Sequence, residues 1–343
     1  MYEDGKRQLA EISSYAGARA DYVQGGGGNT SVKFDGALMG IKASGYTLAE
    51  ITEDTGYVTV DYPVIRRYYE AVNPQVQKDY EKESLQVNLD SIRLLPGMES
   101  KRPSVEVGFH SFLERCVIHT HSVYANALCC SEEGRLQAER LFEDTGIGWL
   151  FVPYVDPGFR LTLTVKQAVD AYRAEHGAAP SVIFLENHGM IAHAEEAGTA
   201  IALHEKVNEI IREGLDIGAF PQPRVRAADG GFVSDTPYLR ETMRKLGIDE
   251  AAIRALKLYP DQLVYIGGKV GDTVRISADS VSYRMGEKEA QTVEETLLGV
   301  VFVMDAIRRA GLTLRQMREE DAGFIGSWES EKYRAKLVKQ EGP

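Results

Sequence analysis

A short apolar run that ends in two histidines constrains this chain more than any other feature. Residues Cys116–Thr120 have the pattern of a buried strand, and His119 and His121 lie two positions apart at its end. On a strand, side chains two residues apart point to the same face, about 6.5–7 Å apart along the backbone. Two such imidazoles can bind one metal ion, at about 2.0–2.1 Å for each zinc–nitrogen bond. The alternative is a strand end with two solvated histidines.

Two further residues can complete a metal site. His188 stands before Gly189 at the end of another apolar run, from which it can reach across as a third nitrogen ligand. Glu106 lies in a predicted helix just before the histidine strand and adds a carboxylate. Three histidines and one glutamate make an open catalytic metal site, with the acid as ligand or base. The alternatives are a histidine that caps a tight turn and a carboxylate that complements a helix dipole.

The other four histidines are not assigned to the metal. His193 is an odd number of residues from His188, so on a strand it faces the other way. His110 sits one helical turn from Glu106 and can orient it, although a packing role is preferred. The unassigned histidines are His110, His176, His193 and His204.

A glycine-rich segment, Gly25–Gly28, is followed by Asn29, Thr30 and Ser31. It is not a dinucleotide-binding fingerprint, because Thr30 takes the third glycine position and no helix is predicted to follow. It is not a P-loop either, since the chain has no Gly-Lys-Ser/Thr. The segment can still bring backbone N–H groups and the side chains of Asn29 and Ser31 to an anion. The alternative is a flexible turn between a helix and a strand.

Strands and helices alternate along most of the chain, which favours a layered α/β fold. Two prolines and two adjacent glycines between residues 219 and 232 predict a domain boundary. We therefore predict a catalytic domain, residues 1–219, and a C-terminal extension, residues 220–343, that packs on the core or covers the site. In the extension we expect a strand pair at 262–267 and 273–277, a long helix at 287–310 and a charged helix at about 318–339.

Composition argues against several classes of protein. The chain has 39 Lys and Arg against 51 Asp and Glu, a formal net charge of -12, so neither nucleic acid nor an anionic membrane is expected as its main partner. The N-terminus has no apolar segment of a signal peptide, and the longest apolar run, Leu297–Ala306, is too short to cross a bilayer. Three cysteines without a Cys-x-x-Cys pair indicate a reducing compartment. These features predict a soluble cytoplasmic protein.

Six short segments, taken in order, resemble the class II aldolase/adducin family, which includes zinc-dependent fuculose- and rhamnulose-1-phosphate aldolases and ribulose-phosphate 4-epimerases. The resemblance spans roughly residues 8–215. It implies a three-layer α/β/α fold with a central mixed, mainly antiparallel sheet, followed here by an α+β extension, and a homotetramer with sites between subunits. The segments are Gly28-Asn29-Thr30-Ser31, Lys42-Ala43-Ser44-Gly45, Pro103-Ser104-Val105-Glu106, His119-Thr120-His121, Pro153-Tyr154 with Pro157-Gly158, and Asn187-His188-Gly189.

The resemblance also implies roles for individual residues. His119, His121 and His188 are the implied ligands of a divalent metal, with zinc expected, and Glu106 is the implied catalytic acid/base that also touches the metal. One position departs from the family, because Val105 stands where the sugar-phosphate aldolases have a second serine. A lost hydroxyl weakens phosphate binding, so the substrate can be unphosphorylated or held differently, with Lys42 as a candidate contact. The implied phosphate-binding residues are Asn29, Ser31, Ser44, Gly45 and Ser104.

The implied function is the reversible retro-aldol cleavage of a ketose or ketose 1-phosphate through a metal-bound enediolate. Epimerases of the family carry Asp at the position of Glu106, so the glutamate favours an aldolase. Two alternatives stay open: an epimerase or decarboxylase that uses the same metal-enolate chemistry, and a non-catalytic, adducin-like assembly module. The second acid/base of related aldolases is a tyrosine from a neighbouring subunit, and the 17 tyrosines of this chain leave its identity undecided.

Overall fold

The computed structural model describes residues 2–277 and 280–327, and its largest element is a seven-stranded sheet. The strands are β1 (Asn29–Lys33), β2 (Leu38–Lys42), β3 (Tyr57–Asp61), β4 (Cys116–Thr120), β5 (Trp149–Val152), β6 (Val182–Leu185) and β7 (Gly189–Ala194). Their order across the sheet is β3-β2-β1-β4-β7-β6-β5. Every neighbouring pair is antiparallel except β5 and β6. The predicted mixed, mainly antiparallel sheet is confirmed.

Helices cover both faces of this sheet. Side chains alternate between the two faces along each strand, and buried apolar side chains of β4 point to both. On β4, Cys116 and Ile118 pack against α1 and α8, while Val117 packs against α4 and α7 on the other face. The sheet is therefore the middle of three layers. The helices of this part are α1 (Glu3–Gly17), α2 (Tyr62–Ala71), α3 (Tyr80–Asp90), α4 (Val107–Phe112), α5 (Val123–Cys129), α6 (Gly134–Phe142), α7 (Phe159–His176) and α8 (Ala197–Gly214), with a 3-10 turn at Leu48–Glu50.

The C-terminal part is a small α+β assembly built around one long helix. Its four antiparallel strands are β8 (Val225–Ala228), β9 (Gly231–Ser234), β10 (Val274–Ile276) and β11 (Val281–Tyr283), in the order β10-β11-β9-β8. Its helices are α9 (Pro237–Leu246), α10 (Glu250–Ala255), α11 (Glu287–Arg309) and α12 (Glu319–Ser327). Leu297 and Val301 of α11 share a hydrophobic cluster with Leu128 of α5 and Val207 of α8. Among the described residues, no helix has the length and hydropathy that a membrane span requires.

One predicted strand is wrong, and one hairpin was not predicted. Residues Gln262–Ile266 form a π-helical turn instead of a strand, and β10 pairs with β11. The Gln262 side chain accepts from Leu258 N at 2.7 Å and donates to Leu256 O at 2.6 Å, so it folds the segment back on itself. The β8–β9 hairpin overlaps the stretch that was predicted as a domain boundary, residues 219–232, and the division at 219 stays a prediction. Of the closing helix expected at 318–339, the part beyond residue 327 lies outside the described residues.

Candidate metal centre and catalytic pocket

Three buried imidazoles converge where β4 ends and β7 begins. One donor nitrogen from each of His119, His121 and His188 lies within 4.8 Å of the other two, and the Nε2 atoms of His119 and His121 are 3.2 Å apart. Gly189 allows the close approach of the two strands, because a Cβ at this position would lie 2.2 Å from the Thr120 carbonyl oxygen. The structure therefore brings together the three predicted histidines, which come from two separate stretches of the chain.

The outer nitrogens of two of these rings have acceptors that orient the inner nitrogens. His119 Nδ1 donates to the carbonyl oxygen of Met190 at 2.9 Å, and burial lowers the pKa of His119 to about 4. A neutral imidazole with its proton on Nδ1 carries a lone pair on Nε2, which is the form that binds metals. His121 Nδ1 faces an acceptor as well, the Oδ2 atom of Asp261 at 2.5 Å. In these tautomers two lone pairs face each other, an arrangement that a cation between them stabilises.

Glu106 lies beside the histidines and is held by Asn29. Its Oε2 atom is 3.5 Å from His119 Nε2, and its Oε1 atom is 3.3 Å from His188 Nε2. Asn29 Nδ2 donates to Oε2 at 2.6 Å, whereas Oε1 is buried and has no hydrogen-bond partner among the described residues. A buried carboxylate oxygen without a partner is costly. Three imidazoles and this oxygen form a donor set that fits a divalent metal ion.

His110 orients the side chain of Asn29, which in turn holds Glu106. Its Nε2 atom donates to Asn29 Oδ1, and Ser31 Oγ donates to its Nδ1 atom at 2.7 Å. Burial lowers the pKa of His110 well below its ordinary value, so the ring is neutral. With its oxygen bonded to His110, the Asn29 amide presents its nitrogen to Glu106. The preferred packing role for His110 did not include these hydrogen bonds, and the alternative, that His110 orients Glu106, holds only through Asn29.

A pocket opens directly above this cluster. Of the five predicted phosphate-binding residues, Asn29, Ser44 and Ser104 line it, whereas Ser31 and Gly45 do not. Ser44 Oγ donates to Pro103 O at 2.9 Å. The lining residues are Gly28, Asn29, Lys42, Ser44, Ser104, Val105, Glu106, His121, Pro157, His188 and Pro260. Lys42 is the one cationic side chain among these described residues.

The C-terminal part contributes residues to the site, whereas the sequence predicted only that it packs on the core or covers the site. Pro260 lines the pocket, and the neighbouring Asp261, fully buried, contacts His121. On the other side, Asn187 Nδ2 donates to the carbonyl oxygens of Leu258 at 2.8 Å and Arg315 at 2.9 Å. None of these three hydrogen bonds has a local sequence signal, since the partners are at least 71 positions apart.

Comparisons with known proteins identify a family and several similar solved structures. Residues 7–214 match the family described as Class II Aldolase and Adducin N-terminal domain. No curated protein matches the chain significantly. Similar solved structures include the N-terminal class II aldolase domain of a conserved protein from Thermoplasma acidophilum (21% identity, 60% of this chain and 91% of that chain, TM-score 0.49), a sugar-phosphate aldolase from Thermotoga maritima (16%, 62% and 97%, 0.41) and an L-fuculose 1-phosphate aldolase from Glaciozyma antarctica PI12 (12%, 87% and 87%, 0.39).

Proposed function

Because the chain belongs to the class II aldolase and adducin N-terminal domain family, we propose that it is a metal-dependent aldolase that reversibly cleaves a ketose or ketose 1-phosphate. The observation that carries the proposal is the convergence of three buried imidazoles and Glu106 on one point of a pocket. Nitrogen and carboxylate donors suit zinc, so we propose Zn²⁺ as the cofactor.

Three histidines would hold the metal ion, and Glu106 would both contact the ion and transfer a proton. His119, His121, His188 and Glu106 would hold the ion, which supplies Lewis-acid polarisation of a ketose carbonyl when bound. In cleavage, a base takes the proton of the C4 hydroxyl, the C3–C4 bond breaks, and its electron pair moves toward the C2 oxygen as the aldehyde leaves. Glu106 then delivers a proton to C3, and in synthesis it removes that proton. Asn29 keeps the carboxylate in place by donating to Oε2.

The polar wall of the pocket is the place where a phosphate or sugar hydroxyls would bind. Asn29, Ser44 and Ser104 line this wall together with Lys42, whose ammonium group can pair with an anion. Val105 lines the same wall and offers no hydrogen bond. Ketoses and ketose 1-phosphates therefore both belong in the substrate screen, and a preference for the phosphorylated sugar would assign the anion to this wall.

The alternative functions predict different products from the same screen. Aldehyde release from a ketose or ketose 1-phosphate supports the aldolase, whereas an epimeric sugar without cleavage, or carbon dioxide from a sugar acid, identifies the epimerase or the decarboxylase. Glu106, in place of the aspartate of the epimerases, favours the aldolase. A non-catalytic assembly module has no need of the metal, so metal analysis of the purified protein, with about one equivalent of divalent metal per chain expected for an enzyme, separates it from all three.

Replacement of Glu106 by glutamine tests the assigned acid/base. We expect Glu106→Gln to retain most of its metal through the three histidines, but to lose exchange of the substrate C3 proton with solvent, with kcat lower by roughly 10²- to 10⁴-fold. Exchange is measured by NMR in deuterated buffer. Glu114→Gln is the matched control, because this partly exposed glutamate lies outside the pocket lining. Normal exchange in Glu106→Gln would remove the residue from the mechanism.

We also propose that the protein is a cytoplasmic homotetramer. The family resemblance implies that active sites lie between subunits and that a neighbouring subunit supplies a tyrosine as the second acid/base. Light scattering tests the assembly, with a mass of four chains expected. A monomer with full aldolase activity would contradict the shared site.

A further inference from the structure

We propose that Asp261 is a positioning residue for the metal ligand His121, so that the C-terminal part of the chain completes the metal centre. The inference depends on the metal site of the proposed function. It adds to that site a residue outside the family match, which ends at residue 214.

The geometry of the pair is that of a carboxylate orienting a metal-binding histidine. Asp261 Oδ2 lies 2.5 Å from His121 Nδ1, and both side chains are buried. A carboxylate only accepts hydrogen bonds, so it fixes the His121 proton on Nδ1 and leaves the lone pair of Nε2 for the metal. Such outer partners fix the ring orientation and raise the basicity of the ligand. Met190 O serves His119 in the same way.

The glycine-rich segment makes room for this contact. A Cβ at Gly27 would lie 2.2 Å from Asp261 Oδ2 and 3.0 Å from His121 Nδ1. Any larger residue there would push the carboxylate away from the ring. The neighbouring Gly25 also meets the C-terminal part, since its N–H donates to Glu295 Oε2 at 3.2 Å. The glycines thus have a structural purpose that a phosphate loop does not explain, the close approach of a second part of the chain.

The backbone before Asp261 is fixed to the turn that carries another ligand. Asn187, which precedes His188, donates from its side chain to Leu258 O at 2.8 Å. The Leu258 N–H in turn donates to Gln262 Oε1 at 2.7 Å. The first hydrogen bond holds this segment against the turn that carries His188, and the second closes the segment around Asp261. The backbone beside the carboxylate is therefore attached to the residue that precedes a metal ligand.

Two other buried carboxylates of the C-terminal part are paired within that part. Glu294 accepts from Ser234 Oγ at 2.7 Å and from the Tyr283 hydroxyl. Asp305 accepts from the Tyr238 hydroxyl at 3.0 Å and pairs with Arg309 at 2.7 Å. Asp261 differs because it bonds to a histidine 140 positions away in the chain. This difference makes Asp305 a suitable control for Asp261.

The test measures metal affinity rather than turnover. Zinc affinity is determined by competition with a chromophoric chelator, on the full chain, for the wild type, Asp261→Asn, Asp261→Ala and Asp305→Asn. We expect zinc affinity to fall roughly 10- to 100-fold in Asp261→Ala, and less in Asp261→Asn, which keeps an acceptor oxygen. The visible spectrum of the cobalt-loaded protein should shift in both. Asp305→Asn should retain the wild-type zinc affinity and cobalt spectrum, because the contacts of the Asp305 carboxylate, with Tyr238 and Arg309, include no metal ligand.

Gly27→Ala provides a second route that keeps the carboxylate. The added methyl group should displace Asp261 and lower zinc affinity in the same direction, and circular dichroism shows which variants are folded. Wild-type affinity and an unchanged cobalt spectrum in folded Asp261→Asn, Asp261→Ala or Gly27→Ala would overturn the positioning role. Failure of the wild type itself to bind zinc would instead overturn the proposed function, so the two failures are distinguishable.

Discussion

Two buried polar clusters lie on opposite faces of β4 and differ in where their polar atoms point. His119 and His121 face the metal centre, whereas Thr120, between them, points the other way and places its Oγ1 atom 2.8 Å from His204 Nε2. Each cluster contains histidine and a glutamate, and in each the imidazoles are buried. Neither the presence of these residue types nor the burial of the imidazoles therefore distinguishes the two.

The cluster around His204 satisfies its own polar groups. The hydroxyl of Tyr15 lies 3.1 Å from His204 Nδ1, so both ring nitrogens have partners. Glu205 accepts from the hydroxyls of Tyr15 at 2.7 Å and Tyr22 at 2.8 Å, and Arg19 lies 3.2 Å from it. The polar groups of this cluster are hydrogen-bonded to one another, and none of its buried polar side-chain atoms lacks a partner among the described residues.

The metal centre has the opposite arrangement. Outer nitrogens of His119 and His121 are bonded to Met190 O and Asp261, while the inner nitrogens face each other at 3.2 Å. Glu106 adds an oxygen without a hydrogen-bond partner among the described residues. Buried polar atoms in folded proteins are almost always paired. Lone pairs that converge without donors thus identify a buried cluster as a ligand site. A cluster whose polar atoms are all hydrogen-bonded to one another is identified as structural.

The largest effect is expected when one of the three imidazoles of the metal centre is removed. We expect His188→Ala to lose more than about 100-fold in zinc affinity, because loss of an outer partner alone costs roughly 10- to 100-fold. Metal content by elemental analysis after dialysis checks this. His193→Ala is the matched control: this buried histidine lies on β7, five residues further along, and does not line the pocket. Retention of zinc by His188→Ala would break the comparison.

Local patterns in the sequence predicted much of the sheet and singled out the three histidines that the structure brings together. The bounds of β4 agree with the predicted strand at every residue, because a short, continuous apolar run between turns is typical of a buried strand. His119 and His121 lie on one side because strand side chains alternate. Glu106 and His188 were candidates from their positions in the sequence, and the family resemblance added their roles. The structure places both side chains beside His119 and His121.

Contacts between distant parts of the chain could not be predicted in this way. Asp261 and His121 are 140 positions apart in the chain, and no sequence motif predicts the contact between them. The segment Gln262–Ile266 has the composition of a strand, but the Gln262 side chain bonds the preceding loop and the segment packs on α11. Tertiary contacts therefore override the local pattern there. The hydrogen bond from His110 to Asn29 joins a helix to a strand 81 positions away.

The next prediction concerns the pH dependence of the structural cluster. Burial lowers the pKa of His204 to about 3, below its value of about 6.5 in the unfolded chain. Between these values the unfolded state binds more protons, so the free energy of unfolding falls as the pH falls below 6.5. The loss from His204 is about 2 kcal/mol between about pH 6.5 and pH 5.

Replacement of this histidine isolates its contribution. His204→Asn should lose less stability than the wild type over that pH interval, by about 2 kcal/mol in urea unfolding. His176→Asn, at a half-exposed histidine on α7, is the control for a histidine outside any buried cluster. Parallel pH profiles for His204→Asn and the wild type would show that His204 is not held neutral by burial.

The smallest expected effect comes from a single hydroxyl of the closed cluster. Tyr15→Phe removes the donor to Glu205 and the contact with His204 Nδ1, so we expect the free energy of unfolding to fall by about 1–2 kcal/mol in urea denaturation. Zinc affinity should stay at the wild-type value, because Tyr15 contacts α8 on the face of the sheet away from the metal centre. A zinc affinity that fell together with stability would mean that Thr120 couples the two faces of β4. The cluster around His204 would then also support the metal centre.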